Sequence, residues 1–348
     1  MKANSVNKLT MMRQAFRRIL VFAMVSLAIA GCSNDLLNDF PADVSFDISA
    51  HLLGGKRIDC LTVDDNGKAF ICSGTKLYIT GKGSQEEYDL GCEILDIEIA
   101  PDHSVWLGSN GMGLGCFSDG KLRWYNSENS GLPRDYVRYV EIGSKGRIWF
   151  SSSAYQIGGL GLFDGKKFEF MTPENSPLNQ NMIEGIEAGK DGIIYVATTG
   201  TTGKTNIYRI TEYSWDCLGD EEGTFYWVFS FAVGPSGNIY LVEDFSLSSA
   251  WTTNRFFMFN GNDWQTIEPE DSYTIGYGSR IRADLRNYCW LAGGISGGSS
   301  VSVFDGARWH RPREDFLEGE FITALEVDSE NNIWIGTFSN GVIVLNQK

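Results

Sequence analysis

Aromatic and acidic residues concentrate in a few irregular segments of this 348-residue sequence. Flat aromatic rings beside carboxylates and amides suit sugar rings, which present C–H faces and hydroxyl groups together. The residues that we expect to contact a ligand in this way are Tyr155, Tyr226, Trp227, Glu243, Asp244, Phe245, Trp251 and Phe338. Trp251 lies among Ser, Ala and Thr, whereas Trp227 begins an apolar strand and suits the core equally well. For all of these rings the alternative is packing in the interior.

Residue types that carry catalysis are few or poorly placed in this sequence. Its three histidines, His51, His103 and His310, fall outside the segments expected to hold a ligand. The 44 Asp and Glu residues guarantee chance carboxylate pairs, so such a pair is not a signal for hydrolysis. No Cys-x-x-Cys and no Asp-x-Asp-x-Asp-Gly spacing indicates zinc or calcium. We therefore predict a binding protein with no catalytic site, no cofactor and no metal.

The charge of the chain argues against two classes of partner. It carries 29 Lys and Arg against 44 Asp and Glu, a net charge of −15. Five of the basic residues lie within residues 1–31, which contain no acid, so the remainder has 24 basic and 44 acidic residues and a net charge of −20. Nucleic acids and anionic membrane surfaces would repel such a body. We expect no nucleic-acid partner, and membrane contact only through an anchor.

The beginning of the chain has the pattern of an export signal. A basic start is followed by the apolar residues 19–29, which are too short to span a bilayer, and then by Ala30-Gly31-Cys32. This ending resembles the bacterial lipobox, in which the cysteine is acylated and becomes the mature N-terminus; ordinary cleavage after Ala30 is the alternative. The next residues, Ser33-Asn34-Asp35, are loosely similar to export signals of surface lipoproteins in Bacteroides-type bacteria. The resemblance implies a lipoprotein signal peptide over 1–31, a lipid anchor on Cys32, a tether over 32–42, and a place on either side of a bacterial outer membrane.

An internal repeat decides the fold. The succession strand, polar turn, strand, short loop, strand recurs along the chain, most clearly in residues 322–345. Aligned on the aromatic residue of the second strand, the repeats are separated by 36, 43, 46, 45, 50 and 44 residues. The aligned aromatic residues are Phe70, Trp106, Trp149, Tyr195, Tyr240, Trp290 and Trp334. This period is typical of a β-propeller blade, so we predict an all-β, seven-bladed β-propeller over residues 43–348.

The outermost strands predict how the ring closes. In several repeats an Asp-Gly or Asn-Gly turn introduces a fourth strand, because glycine tolerates the positive φ of a tight hairpin. The seventh repeat lacks such a strand. Residues 43–49, in contrast, alternate the apolar Val44, Phe46 and Ile48 with polar neighbours, as a strand does. We predict that this N-terminal strand completes the seventh blade three-plus-one, which removes two exposed sheet edges.

A propeller of this connectivity has two unlike faces. The turns from the first to the second strand and from the third to the fourth, such as residues 64–67, are short and form what we call the turn face. The loops from the second to the third strand and the connections between blades vary in length and form the loop face. Binding residues concentrate on irregular loops held by a rigid frame, so we expect the ligand on the loop face.

The repeat is similar to the two-component-regulator type of propeller repeat, through Asn332-Ile-Trp-Ile-Gly-Thr337 and Gly341-Val342. In that family such propellers form the periplasmic sensor of hybrid histidine kinases that respond to dietary glycans. The resemblance implies a glycan ligand. The alternative is a protein-interaction scaffold of the outer envelope that docks a partner protein through the same face. Streptogramin lyases also look similar, through Gly146-Arg-Ile-Trp-Phe150, but their chemistry needs a histidine base and a metal-binding acid on one face.

Two of the cysteines are predicted to be neighbours. Cys60 and Cys72 lie symmetrically about the turn at residues 64–67, so they should face each other on adjacent strands. They form either a disulfide or a pair of small buried hydrophobic residues, and the sequence leaves both open.

Overall fold

The computed structural model describes residues 46–81, 83–154, 157–189, 192–219, 225–243, 255–268, 280–295, 298–310, 317 and 320–347. Within these ranges the strands form seven antiparallel sheets, and the first strands of the sheets contact one another in cyclic order. This arrangement confirms the predicted seven-bladed propeller, with each sheet forming one blade.

Strand β1 (Phe46–Leu52) comes first in the chain but belongs to the seventh blade. Blade 1 consists of β2 (Cys60–Val63), β3 (Ala69–Ser73), β4 (Lys76–Gly81) and β5 (Ser84–Asp89). Blade 2 consists of β6 (Ile94–Ile99), β7 (Val105–Ser109), β8 (Leu114–Ser118) and β9 (Lys121–Tyr125). Blade 3 consists of β10 (Val140–Ile142), β11 (Ile148–Ala154), β12 (Ile157–Phe163) and β13 (Phe168–Met171). A short helix, α1 (Ser127–Ser130), precedes blade 3, and a 3₁₀ turn (Ser144–Gly146) joins β10 to β11.

In the part of the chain that the structure describes, blade 4 carries one strand more than the other blades. Blade 4 consists of β14 (Met182–Ala188), β15 (Ile194–Thr199), β16 (Lys204–Ile210), β17 (Trp215–Cys217) and β18 (Phe225–Tyr226), and blade 5 of β19 (Val228–Val233), β20 (Ile239–Glu243), β21 (Arg255–Phe259) and β22 (Trp264–Ile267). Blade 6 consists of β23 (Arg280–Ala283), β24 (Cys289–Ile295), β25 (Gly298–Phe304) and β26 (Trp309–His310). Blade 7 contains β27 (Ile322–Val327), β28 (Ile333–Thr337) and β29 (Val342–Gln347). The extra strand, β18, pairs with β16 next to β17.

An aspartate in the first turn fixes both the hairpin and the aromatic residue of the second strand. The Asp328 carboxylate accepts hydrogen bonds from two backbone amides of its own turn, at 2.8 and 3.0 Å, and from Trp334 Nε1 at 2.9 Å. Asp284 accepts a bond from Trp290 Nε1 in the same way, at 3.2 Å. These carboxylates satisfy groups that the turn would otherwise leave unpaired, so the turns serve the fold.

The ring is closed by a strand from each end of the described chain. Strand β1 pairs antiparallel with β29, which places Phe46 opposite Gln347 and Leu52 opposite Val342. The seventh blade therefore has the order β1-β29-β28-β27, and the predicted three-plus-one closure is confirmed.

The closing strand differs from its prediction in bounds and in one buried position. It runs over Phe46–Leu52 rather than residues 43–49, and residues 43–45 lie outside the described part of the chain. Phe46 is buried as expected, whereas Ile48 is 51% exposed. Ile48 lies before the register shift between Ile48 and Ala50, on the outermost strand of its blade, and alternation alone does not reveal how much of such a strand the neighbouring blade covers.

The predicted cysteine neighbours face each other. Cys60 in β2 pairs with Cys72 in β3, which confirms the cross-strand placement. Both side chains are buried, and both are free thiols in this structure. Here they act as small hydrophobic residues between blades 1 and 2.

We expect Phe46→Ala to destabilise the protein by about 3–5 kcal/mol, because it opens a cavity at the closing strand. The Phe46 ring packs edge-on against Trp290 of blade 6, with ring centroids 4.7 Å apart. The matched control is Ile48→Ala in the same strand, where the side chain is exposed and the change should stay within about 0.5 kcal/mol. Denaturant unfolding measures both. Equal effects of the two substitutions would contradict this account of closure.

Candidate functional site

The described part of the chain contains half of the residues predicted to contact a ligand. Outside it lie Tyr155, Asp244, Phe245 and Trp251, together with Cys32 and residues 1–42 as a whole. The four that are described are Tyr226, Trp227, Glu243 and Phe338, and all four lie on the loop face. They fall in two places, the first three around β18 and the last beside blade 1.

Glu243 ends β20 and is fully buried. One carboxylate oxygen accepts a hydrogen bond from Tyr226 N at 2.6 Å, and the other lies 2.6 Å from the Arg255 guanidinium. The hydrogen bond joins β18 to the second strand of blade 5, and the ion pair joins that strand to the third. In this arrangement the carboxylate holds Tyr226 in place rather than facing a ligand.

Trp227 lies between β18 and β19 and does not begin the strand, which starts at Val228. Its φ of 44° is rare for a bulky residue. Trp227 N donates to Gly203 O at 2.8 Å, and a Cβ at position 203 would lie 2.2 Å from Trp227 Nε1. Glycine at 203 thus makes room for the indole. At this place Tyr226, rather than Trp227, is the exposed ring.

A second group of rings lies where blade 7 meets blade 1. Phe338 and Phe321 are 52% and 61% exposed, and Phe338 N donates to Phe321 O at 2.8 Å. The Arg57 guanidinium lies 5.5 Å from the centre of the Phe338 ring and pairs with the carboxylates of Asp59 at 2.7 Å and Glu93 at 3.9 Å. We call Phe321, Phe338 and Arg57 the aromatic rim. Phe321 was not singled out from the sequence, and its position just before an innermost strand was the available signal.

Beside the aromatic rim a cavity of about 170 Å³ opens on the axis of the propeller. Residues of all seven blades line it. Its upper wall, towards the loop face, contains Asp59, Arg138, Tyr139, Glu184, Arg280 and Thr323. Within this wall Arg138 pairs with Glu184 at 3.1 Å, and Arg280 Nε donates to Thr323 O at 3.2 Å. We call this cavity the axial funnel.

Charged side chains at one level of the axis form the floor of the axial funnel. They are Glu98, Glu141, Glu187, Arg282 and Glu326, and we call them the axial ring. Each belongs to a first strand and pairs in register with the aromatic residue of the second strand in its blade. Thr62 and Ala232 occupy the same position in blades 1 and 5.

The axial ring was missed in the sequence although a signal for it exists. Every member lies eight residues before the aligned aromatic residue of its blade, as Glu98 does before Trp106. Four of these positions hold glutamate between apolar neighbours, as in Leu325-Glu326-Val327. In a single strand this pattern resembles an ordinary exposed position. Only the alignment of all seven repeats reveals that the acids meet on the axis.

One arginine neutralises part of the axial ring. Arg282 Nη1 lies 2.5 Å from Glu187 Oε1, and its Nη2 lies 3.2 Å from Glu326 Oε2. It thereby links blade 6 to blades 4 and 7. Burial opposes the charge of Arg282, but the surrounding carboxylates outweigh burial and raise the pKa of the guanidinium.

Even with Arg282 present, the carboxylates of the channel are incompletely compensated. Burial raises the pKa of Asp96 to about 6, of Glu187 to about 7 and of Glu141 to about 8. The pKa of Glu98 is also raised well above its usual range by burial, and then by the nearby carboxylates. The cause is that a carboxylate loses its hydration in the narrow channel while like charges lie close by. The axis therefore disfavours further negative charge.

The histidines lie away from the axial funnel. His51 Nε2 is 2.5 Å from Asn340 O at the outer edge of blade 7, and His310 Nε2 is 2.6 Å from Asp305 Oδ2. His103 lies in a turn of the turn face, with a φ of 65°. Among the described residues, no group of three or more His, Cys, Asp or Glu side chains is arranged to hold a metal ion. None of the helices in that same part of the chain has the length and apolar character to cross a membrane.

Comparison with known proteins supports the repeat. Residues 317–339 match the family model described as "Two component regulator propeller", which confirms the resemblance drawn from the sequence. No curated protein matches the chain.

Three solved structures show the same fold. Virginiamycin B lyase from Staphylococcus aureus, solved with quinupristin, is 16% identical with a TM-score of 0.68 over 87% of this chain and 99% of the lyase. The extracellular domain of a hybrid two component system from B. thetaiotaomicron is 17% identical with a TM-score of 0.61 over 84% of this chain and 39% of that one. PorZ of Porphyromonas gingivalis, a surface component of the type-IX secretion system, is 15% identical with a TM-score of 0.59 over 82% and 46%. At these identities the likeness concerns architecture.

We expect Glu141→Gln to stabilise the protein at alkaline pH. The fold favours the protonated acid, so wild type should lose stability as pH rises from about 4.5, the usual value for Glu, to about 8. The amide stays neutral and can still accept the hydrogen bond that Glu141 Oε1 receives from Ile142 N. The variant should match wild type near pH 4.5 and exceed it by at least about 1 kcal/mol at pH 8.

Denaturant unfolding at several pH values measures this difference. The exposed Glu87, on the outermost strand of blade 1, provides the control Glu87→Gln, which should show no such gain. A stability difference for Glu141→Gln that is the same at pH 5 and pH 8 would refute burial as the cause of the raised pKa.

Proposed function

We propose that this protein is a non-catalytic binding protein of the bacterial envelope that holds a glycan on its loop face. The observation that carries the proposal is the aromatic rim, where Phe321 and Phe338 are both more than half exposed and adjacent. Adjacent exposed aromatic rings of this kind are typical of surfaces that contact a ligand or a partner.

The surroundings of the aromatic rim favour sugar over a purely apolar ligand. Arg57, Asp59 and Glu93 form an ion-paired chain next to the Phe338 ring, and Glu93 also accepts a hydrogen bond from Asn110 Nδ2 at 3.2 Å. On the other side, Ser339 Oγ bonds Glu320 at 2.8 Å. A sugar lying on the ring could exchange hydroxyl hydrogen bonds with these groups, which an aliphatic ligand could not. Tyr226 offers a second exposed ring on the same face.

A second candidate function is docking of an envelope protein through the same face. It is favoured by Met112, in a loop of blade 2, and Ile157, at the start of β12 in blade 3, which are 40% and 51% exposed. Aliphatic side chains and methionine suit a protein partner better than a sugar. PorZ, a secretion-system surface component, has the same architecture.

An enzymatic role has less support. Although a lyase shares the fold, none of His51, His103 and His310 lines the axial funnel. Fold alone does not transfer an activity. Our proposal is therefore binding without turnover.

We also propose that Cys32 anchors the protein to the outer membrane through attached lipid. The support is the apolar run followed by Ala30-Gly31-Cys32 in the sequence, together with the surface or extracellular place of similar propellers. Two or more acyl chains anchor a protein durably, whereas one does not.

We expect Cys32→Ala to abolish fatty-acid labelling and to release or misroute the protein. Metabolic labelling with an alkyne fatty acid, followed by fractionation of cells, measures both effects. Cys217→Ala removes a different exposed cysteine and serves as control. Equal labelling of wild type and Cys32→Ala would rule out the anchor.

We expect residues 33–348 to bind neutral glycans on an array, and Phe338→Ala to weaken that binding about tenfold, because a stacking surface is lost. Tyr213→Ala is the matched control, since Tyr213 is an exposed ring on the opposite face. A pull-down from envelope extract runs in parallel. Saturable capture of one protein with no glycan retained would favour docking and overturn the glycan proposal.

A further inference from the structure

We infer that the axial funnel receives one terminal sugar residue of an uncharged glycan chain, so that the glycan is recognised end-on. This inference rests on the proposed function and adds to it the mode of recognition and the charge of the ligand. It is carried by the shape of the channel, by its wall and by its charge.

The channel is blocked below the axial funnel. A second cavity of about 210 Å³ lies on the turn-face side of the axial ring, lined by Val233, Ala283, Leu285 and Val327 at the ends of first strands. All five residues of the axial ring line both cavities, so the ring separates them. Arg282 spans the axis from Glu187 to Glu326 through its two ion pairs. A polymer cannot pass this floor, and whatever enters from the loop face must stop there.

The volume of the axial funnel suits a single ring. At about 170 Å³ it is smaller than the 300–1,000 Å³ typical of sites for drug-sized ligands. A run of sugar residues would not fit inside. The aromatic rim lies directly at its mouth, because Phe321 comes two residues before Thr323, and Arg57 pairs with Asp59 in the wall. The residue that follows the terminal sugar would therefore meet Phe338 and Phe321.

The wall of the axial funnel offers hydrogen bonds that suit hydroxyl groups. The Tyr139 hydroxyl forms no hydrogen bond with any described residue, although the cavity wall includes this side chain. The charges of Arg138, Glu184 and Arg280 lie nearby. A sugar hydroxyl could donate to and accept from such a mixed set, whereas an apolar ring could not.

The charge of the channel argues against an anionic sugar. Asp59, Asp96 and Glu184 face the upper channel with Arg138 and Arg280, and below them four glutamates face one arginine. Carboxylates therefore outnumber the guanidinium groups along the axis. An added carboxylate or sulfate would be repelled and would lose its hydration as well. The raised pKa values of Asp96, Glu141 and Glu187 agree with a channel that already holds as much negative charge as it tolerates.

The test compares ligands with and without free ends, by calorimetry with residues 33–348. The probes are linear gluco- and mannooligosaccharides of two to six residues, cyclic glucans of the same linkages, and oligogalacturonides as the anionic counterpart. We expect linear neutral chains to bind, affinity to stop growing beyond about three residues, and the cyclic and anionic probes to bind at least about tenfold more weakly.

Tyr139→Phe tests the axial funnel itself. Because no described residue bonds this hydroxyl, its removal should leave the unfolding free energy unchanged and weaken binding about three- to tenfold. Tyr213→Phe makes the same chemical change on the turn face and should alter neither quantity.

The outcomes separate the two proposals. If none of the glycans binds, the proposed function fails and end-on recognition fails with it. If linear and cyclic chains bind equally, or Tyr139→Phe binds as wild type does, glycan binding stands and end-on recognition is overturned. Preferred binding of oligogalacturonides would overturn the charge selectivity.

Discussion

Backbone pairing between β1 and β29 is the constraint on which the other features of the molecule depend. It joins residues about 300 positions apart, such as Phe46 and Gln347, and so holds seven sheets at one distance from the axis. Because the ring is closed, the first strands face one another across the axis, and their inward side chains line the axial channel. Glutamates of blades 2, 3, 4 and 7 are brought together in this way. Closure removes two open sheet edges but also buries charge.

The axial ring shows how the protein limits the consequence of that burial. A buried ion pair stabilises little by itself, but a buried carboxylate without a partner is strongly unfavourable. Arg282 is shared between Glu187 and Glu326, and Asp96 accepts hydrogen bonds from the backbone N of Ile97 and Val140 at 3.0 and 2.8 Å. The negative charge that these contacts do not compensate raises the pKa of the buried carboxyl groups, while the strands stay paired. The charge of the channel therefore depends on which residues the first strands of the seven blades place at the axis.

Much of the fold could be predicted from the sequence because every repeat contains an aromatic residue at the same position of its second strand. The aromatic residues from Phe70 to Trp334 are large, buried and regularly spaced, so they fix the number of blades. The closure could be predicted because residues 43–49 have the alternation of a strand and the seventh repeat shows only three strands. The bounds of β1 and the exposure of Ile48 could not be predicted, because the local pattern of apolar residues does not reveal how far an outermost strand is covered by the next blade.

The candidate site was less predictable, for a different physical reason. A local sequence reveals that Glu243 is acidic but not that Arg255 lies against it across the ladder. The same holds for Glu98, whose neighbours on the axis come from four other blades. Phe338 could be singled out because an exposed ring in a short loop depends little on distant partners. Sites made by closure need all seven repeats to be superimposed before their residues can be recognised.

The direction of β1 has a consequence for how the molecule is oriented. Strand β29 leaves the loop face at Val342 and reaches the turn face at Gln347, and Phe46 pairs with that last residue. The polypeptide therefore enters the propeller from the turn-face side. Thirteen residues, 33 to 45, lie between Cys32 and Phe46, and this stretch of chain spans at most about 50 Å when extended. Any attachment made through the N-terminal segment would therefore join the propeller at its turn face, on the side away from the aromatic rim.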